Sequence, residues 1–142
     1  YGTWSVLSGR EKVGKVPASL RIQNAVAWLK QQQRPDGGWG ESNNSYIAAD
    51  RGAQPSTPFQ TAWAILALIA AGEPDGPELR AGADFLLRRQ REDGLWRDEH
   101  FTAPGFPRVF YLKYHGYSAY FPLWALARYE ALIREQPGDV PR

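Results

Sequence analysis

The sequence contains no cysteine. That excludes disulfides, a thiolate zinc site and a thiol nucleophile. Histidine is scarce as well. His100 and His115 are the whole complement, too few for a convincing metal cluster, so no metal site is expected. Neither sign of charge dominates. The formal net charge is +2 and no basic run reaches five residues, which argues against a nucleic-acid partner. No apolar run reaches the about 20 residues that a membrane-spanning helix needs. No two aspartates are adjacent. No signal peptide is visible at the start. The chain does not open on Met, so Tyr1 need not be the native start. Its 142 residues are about one domain.

What is present is a duplication. Gln33-Arg34-Pro35-Asp36-Gly37-Gly38-Trp39 and Gln90-Arg91-Glu92-Asp93-Gly94-Leu95-Trp96 both read Q-x3-G-x-W, with Asp just before the Gly. An aromatic-Leu pair precedes each at the same offset, Trp28-Leu29 and Phe85-Leu86. The two stretches lie 57 residues apart, so the chain is read as repeated structural units. The bland reading of the loops is a brace. Gln sits in the last turn of a helix and bonds orphan backbone groups there. Gly permits the tight turn. The returning Trp stacks on the Gln amide and buries a large area. Asp36 and Asp93 occupy matching positions, and that symmetry points to turn chemistry rather than a catalytic pair.

The rest of the pattern is helical. Pro17 to Gln32 reads as an amphipathic helix with Pro in its first turn. Glu41 to Pro55 reads as a loop. Thr57-Pro58-Phe59-Gln60 is a helix start with the makings of a capping box. Gln60 to Ala71 is apolar nearly all round, which requires cover on most sides. Gly72 to Gly76 reads as a turn, Pro77 to Arg91 as a second amphipathic helix, and Ala119 to Glu135 as a last helix with Pro122 in its first turn. Amphipathic helices alternating with apolar ones predict an all-α fold: helical hairpins forming part of an α/α barrel. The expected extent is residues 1–135, followed by a frayed tail over 136–142.

Eight of the chain's 19 aromatic residues fall between Phe106 and Trp124. Phe106, Phe110, Tyr114 and Tyr117 follow one another at steps of 4, 4 and 3, which on a helical turn would place them on one face. The bland reading is core packing. The functional reading is an aromatic wall around a cation, whose charge the π-faces attract. Lone-pair donors would trap a carbocation; aromatic faces stabilise it without capture.

The two Gln–Trp loops, together with Tyr1-Gly2-Thr3-Trp4, Ser56 to Ala64 and Gly105 to Leu112, resemble the C-terminal part of a bacterial squalene–hopene cyclase. Oxidosqualene cyclases are related by fold, as are the β subunits of protein prenyltransferases. The latter need a Cys zinc ligand that this chain lacks. The resemblance implies a two-barrel enzyme that protonates squalene, drives a cationic polycyclisation, and ends in proton loss to hopene or water capture to hopanol. It implies an isomerase of the intramolecular-transferase type, with lyase activity for hopanol, and no metal or organic cofactor. It also implies peripheral, monotopic attachment on the cytoplasmic side of the membrane, and a homodimer for the complete enzyme. The family's acid lies in a D-x-D-D sequence upstream of the matched part, and none occurs here. The chain is therefore expected to hold no catalytic acid, to lack the N-terminal part of a cyclase, and to be inactive alone. By position, Phe106 and Phe110 match the Phe pair that stabilises late cations. Tyr114 and Tyr117 match a Tyr pair near the protonation end. Tyr1 matches a Tyr supporting the acid. Tyr111, Tyr120, Phe121 and Trp124 keep the core reading.

Two other classes compete. One is a non-catalytic helical-repeat module that binds a polyisoprenoid. The other is a carbohydrate-active α/α barrel, which would want paired carboxylates across a cleft; Asp98-Glu99 is its one exposed-looking acidic spot.

Overall fold

Five helices account for the regular structure of the computed structural model, which describes residues 2–12, 19–43, 55–102 and 112–135. They are α1 (Gly2–Lys12), α2 (Leu20–Gln31), α3 (Pro58–Ala70), α4 (Pro77–Arg89) and α5 (Tyr117–Glu135). Among the described residues no strand forms; one isolated antiparallel bridge joins Thr102 to Leu112. The fold is all-α, as the alternation of patterns predicted. Tyr1, Pro17, Phe106, Phe110, Tyr111 and the tail 136–142 lie outside the described residues.

The 57-residue repeat governs the whole arrangement. Shifted by that interval, α2 falls on α4, α1 falls within α3, and α3 overlaps α5. The core centres on α3. Its buried residues run around the whole helix from Phe59 to Ala70, and α1, α4 and α5 pack on it, α5 most extensively. α4 is amphipathic. It turns Leu79, Ala83, Phe85 and Leu86 inward and leaves Arg80, Arg88 and Arg89 exposed. Burial of such a face, rather than intrinsic propensity, supplies most of the stability of helices this short.

Thr57 caps α3 as predicted, its hydroxyl accepting from Gln60 N at 3.3 Å. The reciprocal half of the box is not made. Thr57 N donates to Trp39 O instead, at 2.9 Å. The Gln60 side chain keeps a bond to Thr57, its Oε1 accepting from the Thr57 hydroxyl at 3.0 Å, and also clamps another segment. It accepts from Glu41 N and donates to Glu41 O, both at 3.0 Å. The helix start is thus tied to the exit of the first Gln–Trp loop.

Three expectations need correction. Residues 2–12 form a helix where no helix was read. Gly2 and Gly9 disfavour it intrinsically, but Leu7 is buried and Trp4 packs on Trp63 and Phe121. α5 begins at Tyr117, two residues early, so Pro122 lies in its second turn rather than its first. Pro122 is fully buried at the position that Ile65 holds in α3, so its ring fills core at the cost of one helix hydrogen bond. Tyr120 and Trp124, read as core, are exposed, Tyr120 at 72%. Trp4 of α1 meets Trp124 edge-on at 6.0 Å but leaves it 44% exposed.

One polar cluster ties the C-terminal half of α5 to the turn after α3. Tyr129 Oη donates to Asp75 Oδ1 at 2.8 Å, and Arg80 pairs with Asp75 Oδ2 at 2.7 Å. The Arg80 hydrogen bond holds the Asp75 carboxyl below its usual range. Burial and then the Asp75 bond push the Tyr129 phenol up to about 12. A carboxyl with a lowered folded pKa stabilises the fold above its unfolded value, about 4, and that contribution is lost as pH falls through the folded value. Asp75→Asn should therefore lower the melting temperature at pH 7 and make little difference at the acid end of that window. Thermal melts across the range check this; an equal loss at both ends would contradict the assignment.

Candidate functional site

The site must be built from loops, because the helices leave their chemistry-bearing residues at their ends. Each Gln–Trp loop follows an amphipathic helix and leads toward an inner one. Gly37 and Gly94 both sit at positive φ, 86° and 78°, which suits Gly alone among common residues. In the first loop Gly37 N donates to Arg34 O, and Asp36 Oδ1 accepts from Gly38 N at 3.0 Å. In the second, Gly94 N donates to Arg91 O, and Asp93 Oδ1 accepts from Leu95 N at 3.1 Å. The two aspartates are turn residues, as their symmetry predicted.

The glutamines do not do what was expected of them: each lies just past its helix rather than in the last turn, and its amide bonds the turn rather than the helix end. Gln33 and Gln90 donate across their own turns, to Gly37 O at 2.8 Å and Gly94 O at 2.9 Å. Carbonyls in the last turn of each helix accept from the indoles. Trp39 Nε1 donates to Leu29 O at 2.8 Å, and Trp96 Nε1 to Leu86 O at 2.7 Å. Both indoles are buried, and a buried indole N–H requires such a partner.

Beyond Trp96 the chain passes Asp98, His100 and Thr102. Asp98 Oδ1 accepts from His100 N at 2.9 Å and lies 2.7 Å from His100 Nδ1. The Asp98 side chain is 3% exposed, whereas Glu99 is 77% exposed beside Arg97. Asp98 and Glu99 border one cavity, but they are chain neighbours of unlike exposure rather than a pair opposed across a cleft. One member is buried in a turn and the other is in solvent. Among the described residues no three His, Asp or Glu side chains gather as a metal site.

Thr102 and Leu112 then exchange backbone hydrogen bonds, both at 2.8 Å. This extended pairing at Leu112 corrects the expectation of a continuous helical face through the aromatic segment. Tyr114 stands in the turn before α5 and Tyr117 is the first residue of α5. Their rings nevertheless meet, stacked with centroids 4.7 Å apart and planes at 21°. Tyr117 continues inward, edge-on to Trp63 at 5.7 Å and to Phe121 at 5.1 Å. Tyr114 is exposed. The pair thus runs from the core to the surface, and together with Phe59, Trp96 and His100 it lines a cavity of about 260 Å³. Of the residues read as substrate contacts, Tyr114 and Tyr117 are brought together; Phe106, Phe110 and Tyr1 lie outside the described residues. His100 was missed because a lone His two residues after an Asp carries no distinctive spacing.

Known proteins place this arrangement. The chain is 54% identical over 134 residues to a squalene–hopene cyclase of Bradyrhizobium diazoefficiens, covering 93% of this chain and 20% of that protein. It is 52% identical to the squalene–hopene cyclase of Zymomonas mobilis, with the same coverage. It is 38% identical to a dammaradiene synthase of Dryopteris crassirhizoma, over 94% of this chain and 22% of that one. The chain therefore spans about a fifth of the length of the curated relatives it matches. Residues 1–131 match the family described as the squalene-hopene cyclase C-terminal domain. With its two Gln–Trp loops braced alike and its all-helical repeat, the chain belongs to that family.

Proposed function

We propose that this chain supplies part of the aromatic wall of a triterpene cyclase that converts squalene to hopene or hopanol by cationic polycyclisation. The observation that carries the reading is the stacked Tyr114–Tyr117 pair, which lines a cavity together with Phe59 and Trp96. Ring faces attract a cation by their quadrupole. They offer it no strongly nucleophilic lone pair. Phe106 and Phe110 act on late cations, Tyr114 and Tyr117 at the protonation end, and Tyr1 supports the acid. The acid itself belongs to sequence outside this chain, since no D-x-D-D occurs within it. The complete enzyme works as a homodimer attached peripherally to the cytoplasmic side of the membrane; among the described residues no helix is long and apolar enough to cross it.

Without an acid no cation forms for the wall to stabilise. Purified chain incubated with squalene should yield no hopene above a control without protein. Hopene formation would refute this division of labour. The alternative, a module that holds a polyisoprenoid without turning it over, predicts saturable squalene binding by the chain alone and no cyclase activity in any longer form.

A further inference from the structure

The exit of the second Gln–Trp loop lacks a latch that the first one has. In the first repeat Trp39 O accepts from Thr57 N at 2.9 Å, and Trp39 N donates to the Thr61 hydroxyl at 2.9 Å. The Gln60 amide holds the backbone of Glu41. One repeat later, Thr57, Gln60 and Thr61 become Tyr114, Tyr117 and Ser118. Ser118 Oγ turns to His115 O, and among the described residues no backbone hydrogen bond joins Trp96 to Tyr114. The cavity of about 260 Å³ that the two tyrosines line opens there, between Trp96 and Asp98 on one side and the start of α5 on the other.

A carboxylate is buried in the wall of this cavity. Glu41 of the first repeat is exposed, but the side chain of its counterpart Asp98 is only 3% exposed. Asp98 Oδ1 is occupied by His100, through both the backbone N–H and Nδ1. Oδ2 is sealed from solvent and meets no donor among the described residues. A buried oxygen without a donor is a net cost to the fold, so packing alone does not account for it. A neutral His100 donating from Nδ1 leaves the carboxylate its full charge. Three cations also line the cavity, Arg91, Arg97 and Lys113, but all are exposed, where water and salt screen them. Arg91 is moreover paired with Asp93.

We propose that Asp98 is a counter-charge for a cation held against the Tyr114–Tyr117 pair, acting through space without touching it. The inference rests on the cyclase reading for the identity of that cation. A carboxylate in contact with a carbocation would capture it by forming a C–O bond. Asp98 does not make that contact, because Oδ1 is bonded to His100 and Oδ2 is sealed. Its attraction still reaches the ring faces, since a low-dielectric wall transmits a charge further than water does. The rings supply close contact and Asp98 supplies the long-range field. Squalene is uncharged, so the field favours only the cationic stages. That lowers a barrier rather than tightening the binding of substrate.

In a complete cyclase carrying this segment, Asp98→Asn removes the charge at nearly constant shape. It should lower kcat about tenfold with KM unchanged, the factor that about 1.36 kcal/mol of barrier makes. A purely structural Asp98 would lower the melting temperature and leave kcat per folded enzyme alone. The chain by itself gives a second readout, with choline and its neutral isostere neohexanol as probes. Choline should bind more tightly by about tenfold, and should still do so in about 1 M salt, where exposed charges are screened within about 3 Å. Asp98→Asn should abolish the preference. His100→Gln disturbs the same turn but keeps the charge, so the preference should survive it. If Asp98→Asn does not fold, the salt series on the unaltered chain still decides. Equal affinities, or no measurable binding of either probe, overturn the proposal. So does a preference lost in salt, which would belong to exposed Glu99 instead. Any of these failures leaves the cyclase reading standing, because products test that reading and charge preference tests this one.

Discussion

Trp39→Ala should cost about 3–5 kcal/mol of unfolding free energy, the usual range for truncating a buried Trp. Domains of this kind have about 5–15 kcal/mol in total, so the variant should be largely unfolded at moderate denaturant concentrations. Two losses combine. The indole area leaves the core beside Leu29 and Ile65, which belong to the same cluster. Leu29 O loses its indole donor. Trp39→Phe separates the two, keeping most of the area and losing the hydrogen bond, and should cost about 1–2 kcal/mol for the bond. Denaturant unfolding measures both. Trp96→Ala removes an equally buried indole with an equivalent bond. It should cost less, because the first loop is also pinned through Glu78 and Ala81 and the second is not. Equal losses would mean that the loop contacts to α4 contribute nothing.

In a complete cyclase carrying this segment, Phe106→Ala and Phe110→Ala should release incompletely cyclised products. A cation over a desolvated ring gains about 2 kcal/mol or more. Each 1.36 kcal/mol of barrier is about tenfold in rate. Loss of one ring should slow the next ring closure by roughly one to two orders of magnitude while competing proton loss proceeds unchanged. Early-stopped polycycles then accumulate, and squalene consumption falls much less than the yield of the full product. Tyr120→Ala serves as the control. Its ring is exposed and touches no aromatic partner among the described contacts, so it should alter neither stability nor product ratio by much. If all three variants gave one product profile at different yields, the aromatic segment would be packing material only.

What could be read in the residues was what is decided locally. The Gln–Trp turns need a positive φ, an Asx-type acceptor and a returning indole, all within seven residues, so their form was visible twice over. The start of α3 was visible for the same reason: Thr57 and Pro58 act within one turn. The fate of Gln60 was not, because it depends on Glu41, nineteen residues away and brought close by the loop. α1 was missed because its helix is imposed by Trp4 and Leu7 packing on α3 against weak local preference. Tyr120 and Trp124 were misread as core because apolar character says that a residue needs cover, not that its neighbours give enough of it. The closeness of Tyr114 and Tyr117 followed from their spacing. Their stacking across the junction between a turn and a helix did not, since that spacing assumed one continuous helical turn.

The burial of α3 also sets an order in time. Its neighbours on the C-terminal side are α4 and α5, and α5 ends at residue 135, 65 residues after α3 ends at residue 70. At about 5–20 residues per second, a ribosome takes roughly 3–13 s to make that stretch. During that interval the most apolar helix of the chain has emerged without the partner that covers it most. Apolar segments exposed during synthesis aggregate unless a chaperone holds them. Nascent α3 is therefore the segment on which the yield of folded protein depends, and substitutions in α5 that never touch a ligand can decide how much protein a cell accumulates.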